Sequence, residues 1–154
     1  MLGSRIIMRL MLDTNILIDH IGRREPFYEL SRRTCLLGIT GVAETFISAT
    51  MITDIHYLLS KDFGNIEAQR MIEEDLGFFE IVGVSSQDVS DALAQRWSDF
   101  EDCLVALCAK KVAADFIITR NTKDFSRSSI RALTPKELFK ELDACGIHYE
   151  EIDF

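Results

Sequence analysis

Proline and histidine are nearly absent from this chain, with two and three residues in 154, and glycine adds only eight. So few turn-formers exclude a collagen-like or linker-rich chain and a small, many-turned β-sandwich. The three histidines and four cysteines show no Cys-x-x-Cys or Cys/His spacing, so no zinc pattern is present. Cys35, Cys103, Cys108 and Cys145 read as reduced thiols; Leu, Ala and Val surround Cys103 and Cys108 on a helical pattern, where cysteine packs as a small hydrophobe. Long hydrophobic runs are missing as well. Residues 34–53 are almost uncharged, but Glu44, several hydroxyls, Gly38 and Gly41 interrupt them, and no run reaches the ~18 apolar residues of a bilayer span. The opening apolar run holds Arg5 and Arg9 and no small-residue cleavage site, so no signal peptide is expected, Met8 can serve as the start, and the expected location is cytoplasmic.

Positive charge is the remaining scarcity: 17 Lys and Arg stand against 25 Asp and Glu, a net charge of −8. What is present is an ordinary globular balance, 47% apolar and 27% charged, in a length that suits one domain with a real core. Residues 1–154 are read as a single domain with its core at about 8–142 and a tail over 143–154.

Short apolar runs alternate with amphipathic stretches. Residues 6–12 form a buried strand pattern ending abruptly at Asp13, and an amphipathic stretch follows to Ile21. A helix is expected over 26–37, with Pro26 in its first turn and Gly38 and Gly41 as its breakers. Glu44 reads as a turn or edge residue, and 45–48 as a strand. Helical periodicity returns over 50–62 and 65–79, the second with Asn65 as N-cap. Residues 80–84 are a third strand, and 85–97 a helix opened by a Ser85/Asp88 capping box. Ser98-x-x-Glu101 reads as another capping box, starting a helix through Ala114; 116–119 is a β-branched fourth strand, and a polar, basic loop runs to Arg131. Thr134, Pro135 and Glu137 open the last helix, whose apolar face is Leu138, Phe139 and Leu142. This order specifies an α/β fold: a three-layer α/β/α domain around a central, mainly parallel sheet of four to five strands.

In such sheets the site lies beyond the carboxyl ends of the strands. Asp13 follows strand one and Asp124 lies in the loop after strand four. Asp102 is in the first turn of the helix leading to strand four, and Asp54 is in the helix after strand two. Carboxylates gathered in a small space repel and need a cation, and Mg²⁺ or Mn²⁺ with hard oxygen ligands fits best. Taken singly, Asp13, Asp99 and Asp102 also suit helix N-termini, where a carboxylate gains ~0.3–1 kcal/mol. Asp54, flanked by apolar residues inside a helical run, has no such explanation.

Four segments together resemble a PIN domain: Met11-Leu12-Asp13-Thr14-Asn15-Ile16-Leu17; Ile47-Ser48-Ala49 followed by Thr53-Asp54-Ile55; Asp99-Phe100-Glu101-Asp102-Cys103-Leu104; and Ile118-Thr119-Arg120-Asn121-Thr122-Lys123-Asp124-Phe125. Arg24-Glu25-Pro26-Phe27-Tyr28 further resembles the branch of that family that supplies toxins of toxin–antitoxin systems. The resemblance implies metal-dependent RNA cleavage by a Mg²⁺ or Mn²⁺ site. Asp13, Asp102 and Asp124 match three family acids and would hold the metal, while Asp54 stands where the second motif usually carries Glu. Thr14, Asn15, Asp99, Thr119 and Asn121 would orient ligands or water around them. The expected partners are a single-stranded or structured RNA, a small antitoxin protein and a second copy of the chain. For the last, residues 50–79 are apolar enough to bury in a homodimer, although Met51, Ile52 and Ile55 equally suit a core.

RNA is a polyanion, so the −8 charge does not favour it, but Arg120, Lys123, Arg127 and Arg131 against Asp124 give the 119–131 segment a local +3. Arg120, Lys123 and Arg127 are the expected phosphate contacts. Arg23, Arg24, Arg32 and Arg33 read rather as solvated charges or partners of nearby Glu. A haloacid-type phosphatase would need a second acid where Asn15 stands, and a phospho-receiver an acid pair at the end of strand one that Leu12 does not offer. The alternative of another class is a PIN-like module without efficient catalysis, which Asp54 in place of Glu keeps open.

Overall fold

A computed structural model describes residues 7–151, so Ile6 of the first strand pattern, the chain start and the last three residues of the tail lie outside the described part. The elements are β1 (Met8–Leu12), α1 (Thr14–Ile21), α2 (Tyr28–Thr40), β2 (Ala43–Ser48), α3 (Met51–Phe63), α4 (Asn65–Asp75), β3 (Glu80–Val82), α5 (Ser86–Gln95), α6 (Phe100–Lys111), β4 (Phe116–Ile118), β5 (Ala132–Leu133) and α7 (Pro135–Ala144). The five strands are all parallel, in the order β3-β2-β1-β4-β5, within a three-layer α/β/α arrangement. β1 is central because Leu10, Met11 and Leu12 are fully buried, as a strand covered on both faces requires. The strand order reverses between β1 and β4, which opens a crevice beyond their carboxyl ends.

The capping boxes of α5 and α7 form as the sequence predicts: Ser85 and Asp88 exchange bonds at one, Thr134 and Glu137 at the other, with Pro135 in the first turn. Several local readings shift. α2 starts at Tyr28 rather than Pro26 and runs through Gly38 to Thr40, where Gly41 at φ +75° ends it. Gly38 is not a breaker; a Cβ there would stand 2.3 Å from Thr45 Oγ1 and 2.6 Å from the Phe78 carbonyl, so the helix needs glycine to approach β2. The N-cap of α4 is Gly64, not Asn65, and the periodic stretch to 79 stops at Asp75 before a 3₁₀ turn over Leu76–Phe78.

Glu44 is neither turn nor edge. It sits inside β2, an interior strand, and pairs with Arg9 directly across in β1. The basic loop after β4 contains a 3₁₀ turn (Thr122–Phe125) and leads into the two-residue β5. Met51 and Ile55 belong to the core, both fully buried, so the outward face of α3 and α4 is carried by Tyr57, Phe63 and Ile66. Cys35, Cys103 and Cys108 are buried free thiols and Cys145 is an exposed one. Among the described residues no helix is long and apolar enough to cross a membrane.

Candidate active site

Asp13 is the first residue after β1 and the N-cap of α1, so strand and helix together fix its position. Its backbone N–H donates to the Ile118 carbonyl of β4, and its side chain accepts from Thr14 N–H at 2.8 Å. From β4, the fully buried Thr119 hydroxyl donates to Asp13 Oδ2 at 2.8 Å and accepts from Asn121 N–H at 3.1 Å. Asn15 braces the same corner, its amide reaching Asp13 Oδ2 at 3.3 Å while its carbonyl oxygen accepts from Arg120 N–H. Two strand ends are thereby stitched around one carboxylate.

A cavity of about 430 Å³ opens over this corner. Its lining gathers Asp13, Asp54, Asp99, Glu101, Asp102 and Asp124, with Thr14, Asn15 and Asn121 between them. The four acids singled out from the sequence therefore converge from four separate segments. Thr119 lies beneath the floor rather than in it, and Lys123 and Arg127 do not line the cavity.

Burial and mutual repulsion raise three of these acids. Asp13 is lifted by desolvation and by the Asp124 and Asp99 charges, against the opposing pull of its bonds from Thr119 and Thr14. Burial, followed by the charges of Asp13, Asp99, Asp124 and Glu101, pushes Asp102 up to about 7. Glu101 also rises to about 7 through burial and its contact with the Asp54 carboxylate, although Thr14 Oγ1 donates to it at 3.0 Å. Such a set costs energy unless protons or cations share it.

Glu101 is the site residue that the sequence reading missed. The Ser98-x-x-Glu101 box assigned it to capping, but the N-cap of α6 is Asp99, whose Oδ1 accepts from Asp102 N–H at 3.0 Å. The overlapping Asp99-x-x-Asp102 spacing was the available signal. With the cap moved one residue on, Glu101 is free to meet Asp54 and Thr14.

Asp19 is a second unforeseen participant. It is 1% exposed on α1 and lies 2.7 Å from Arg120 Nε, which neutralises it; burial still raises its carboxyl against the pull of Arg120. Arg120 also lies over the Phe27 ring at 4.1 Å, so two contacts fix a side chain that reaches the cavity wall. Arg127 donates to the Gln95 and Arg96 carbonyls and lies over Trp97, and Arg131 pairs with Glu141. Arg32 and Arg33 pair with Glu29 as expected for that group, but Arg24, besides pairing with Asp62, lines the acidic cavity.

The donor set is entirely hard oxygen with no imidazole or thiol at hand, the chemistry of Mg²⁺ or Mn²⁺ rather than zinc. Among the described residues no three such side chains are already drawn into a closed coordination group. The acids line an open cavity wall, where a Mg²⁺ or Mn²⁺ ion can keep several of its waters.

Comparison with known proteins identifies the family. Residues 9–123 match the family model described as the PIN domain. The chain is 25% identical over 134 residues to the ribonuclease VapC1 of Aquifex aeolicus (strain VF5), covering 84% of this chain and 92% of that protein. A toxin–antitoxin complex from Klebsiella pneumoniae superposes with a TM-score of 0.59 at 26% identity, over 82% of this chain and 97% of its own. VapBC2 from Rickettsia felis, solved on a DNA fragment from its promoter, shares the fold with a TM-score of 0.60 at 22% identity, covering 82% and 98%.

Proposed function

The chain belongs to the PIN-domain family, and from that premise we propose that it is a metal-dependent endoribonuclease, the toxin of a toxin–antitoxin pair. The observation that carries the reading is the convergence of Asp13, Asp54, Glu101, Asp102 and Asp124 on one cavity at the reversal between β1 and β4. Asp13, Asp102 and Asp124 would hold Mg²⁺ or Mn²⁺. Such an ion supplies a water of lowered pKa and neutralises charge developing on the phosphoryl oxygens. Asp54, one methylene shorter than the usual Glu, is supplemented by its neighbour Glu101. Thr14, Asn15, Thr119 and Asn121 orient these carboxylates, and Asp99 fixes the first turn of α6 that presents Asp102. No side chain forms a covalent bond to substrate: water adds to phosphorus and the P–O3′ bond breaks, leaving a 5′-phosphate and a 3′-hydroxyl.

RNA would be drawn in by Arg120, Lys123 and Arg127. Lys123 is exposed and, like Arg127, which meets the Gln95 and Arg96 carbonyls and the Trp97 ring, has no ion pair among the described residues. The toxin–antitoxin relatives support a small antitoxin as partner, and the exposed Tyr57, Phe63 and Ile66 support a homodimer through α3 and α4. The working location is the cytoplasm, where RNA and a co-expressed inhibitor meet.

The test is cleavage of a fluorogenic single-stranded RNA by the protein and by Asp13→Asn, each with and without Mn²⁺ or Mg²⁺. Turnover that requires both the ion and Asp13 is expected. Turnover unchanged in Asp13→Asn would refute the assignment, and none with any ion, in protein shown free of bound inhibitor, would make the chain a non-catalytic PIN-like module.

A further inference from the structure

Arg120 is a wall shared by two cavities. On one side is the acidic cavity; on the other is a smaller cleft of about 210 Å³ lined by Pro26, Phe27, Leu30, Pro135 and Lys136, with Ser31 and Thr134 supplying hydroxyls. We infer that this cleft is a subsite for one unpaired nucleobase of the RNA strand whose phosphate enters the acidic cavity, an inference that rests on the ribonuclease reading above.

The lining suits a flat, polar-edged ring. Phe27 is 41% exposed and Leu30 39%, so two neighbouring apolar side chains are accessible in the cleft beside the charged site. Aromatic and guanidinium planes are the usual platforms for unstacked bases. Here the two are already assembled, because the Arg120 guanidinium lies on the Phe27 ring and is anchored from behind by the buried Asp19. The platform is therefore rigid before substrate arrives, and little ordering entropy is lost on binding.

Charge selects the occupant. Lys136, exposed at the start of α7 and with no ion pair among the described residues, lines the cleft together with Arg120. An apolar slot between two cations complements a base with phosphates on either side of it. Size points the same way. The cleft is smaller than the ~300–1,000 Å³ of sites for drug-sized ligands, so it admits one ring system and not the helix of a protein partner. Because Arg120 borders both cavities, a base in the cleft lies next to the phosphate that enters the acidic one.

The test uses short single-stranded RNAs bound to the full chain carrying Asp13→Asn, so that no cleavage intervenes, with 2-aminopurine at each position in turn and with abasic counterparts. One position is expected to be quenched on binding, and adding Phe27→Ala should lower affinity about ten-fold and abolish that quench. Phe27→Tyr should restore both, thermal melts should show Phe27→Ala folded, and the RNA abasic at that position should bind both proteins alike. Lys136→Ala should weaken binding and flatten its salt dependence. Affinity and quench unchanged in Phe27→Ala, or a loss equal for abasic RNA, would overturn the subsite. So would a Phe27→Ala effect seen only on a protein partner. The two readings separate cleanly: Asp13- and metal-dependent cleavage indifferent to Phe27 sinks the subsite alone, whereas Phe27-dependent base binding in a protein that never cleaves sinks the hydrolytic reading alone.

Discussion

Asp19 and Arg120 show how one buried pair can carry both stability and binding. Removing the guanidinium strands a carboxylate that is 1% exposed, so Arg120→Ala should destabilise the protein by ~3 kcal/mol, the low end for a broken buried pair because Arg120 keeps about a third of its surface in water. Adding Asp19→Asn should recover most of that stability, since the stranded charge is gone, while RNA affinity stays low. Denaturant melts and RNA titrations on the four proteins of the cycle check this, and full recovery of RNA binding in the double variant would show that Arg120 does not touch the strand. Glu101 lends itself to an opposite experiment. Glu101→Gln removes one charge from a self-repelling set, so the metal-free protein should melt at a higher temperature while divalent-ion binding, read by calorimetry, weakens.

At the scale of elements, the sequence was most legible where a motif left one choice of register. The capping boxes of α5 and α7 each have a single Ser or Thr three residues before an acid, and both form. At α6 the run Ser98-Asp99-Phe100-Glu101-Asp102 permits two registers one residue apart, and a shift of one residue turns a helix face by about 100°. The tertiary neighbours choose between them: Thr14 and Asp54 receive Glu101, and Asp99 takes the cap. Asp99→Ala should therefore be about 1 kcal/mol less stable than Asp99→Asn, which removes the same charge but keeps the N-cap, and Ser98→Ala should cost almost nothing, in paired thermal melts. Gly38 and Glu44 failed for a related reason. Each is judged locally as a breaker or a turn, yet the close approach of Thr45 to Gly38 and the cross-strand position of Arg9 beside Glu44 exist only after β2 has docked.

Over the whole molecule the acidic cavity makes stability depend on pH in an unusual direction. Asp13, Glu101 and Asp102 hold their protons to higher pH when folded than in the unfolded chain, where Asp and Glu titrate near 3.9 and 4.3. Folding therefore takes up protons above about pH 4, and the contribution of Glu101 and Asp102 is present at the low end and lost as pH rises through about 7, with Asp13 acting in the same direction. Asp88 and Glu137, whose pKa values are lowered by their bonds to Lys111 and Thr134 respectively, act oppositely and set the fall in stability at still lower pH. Metal-free protein should thus melt higher at pH 5.5 than at pH 8, and saturating Mn²⁺ should narrow the gap by binding the ionised set. A metal-free melting temperature that rises from pH 5.5 to 8 would contradict this account.

By itself the sequence determined the alternation of strand and helix, the parallel sheet, and the identity of four acids placed at strand ends or facing helix turns. It could do so because burial period and capping spacing are local properties of the chain. Which acids meet, how Glu101 joins them, why Arg120 is anchored to Asp19, and that one arginine divides two cavities were decided only by tertiary structure. Those facts depend on distances between segments far apart in the chain, such as Asp13 and Thr119, 106 residues apart, and such distances are set by how β1 and β4 pair rather than by either segment alone.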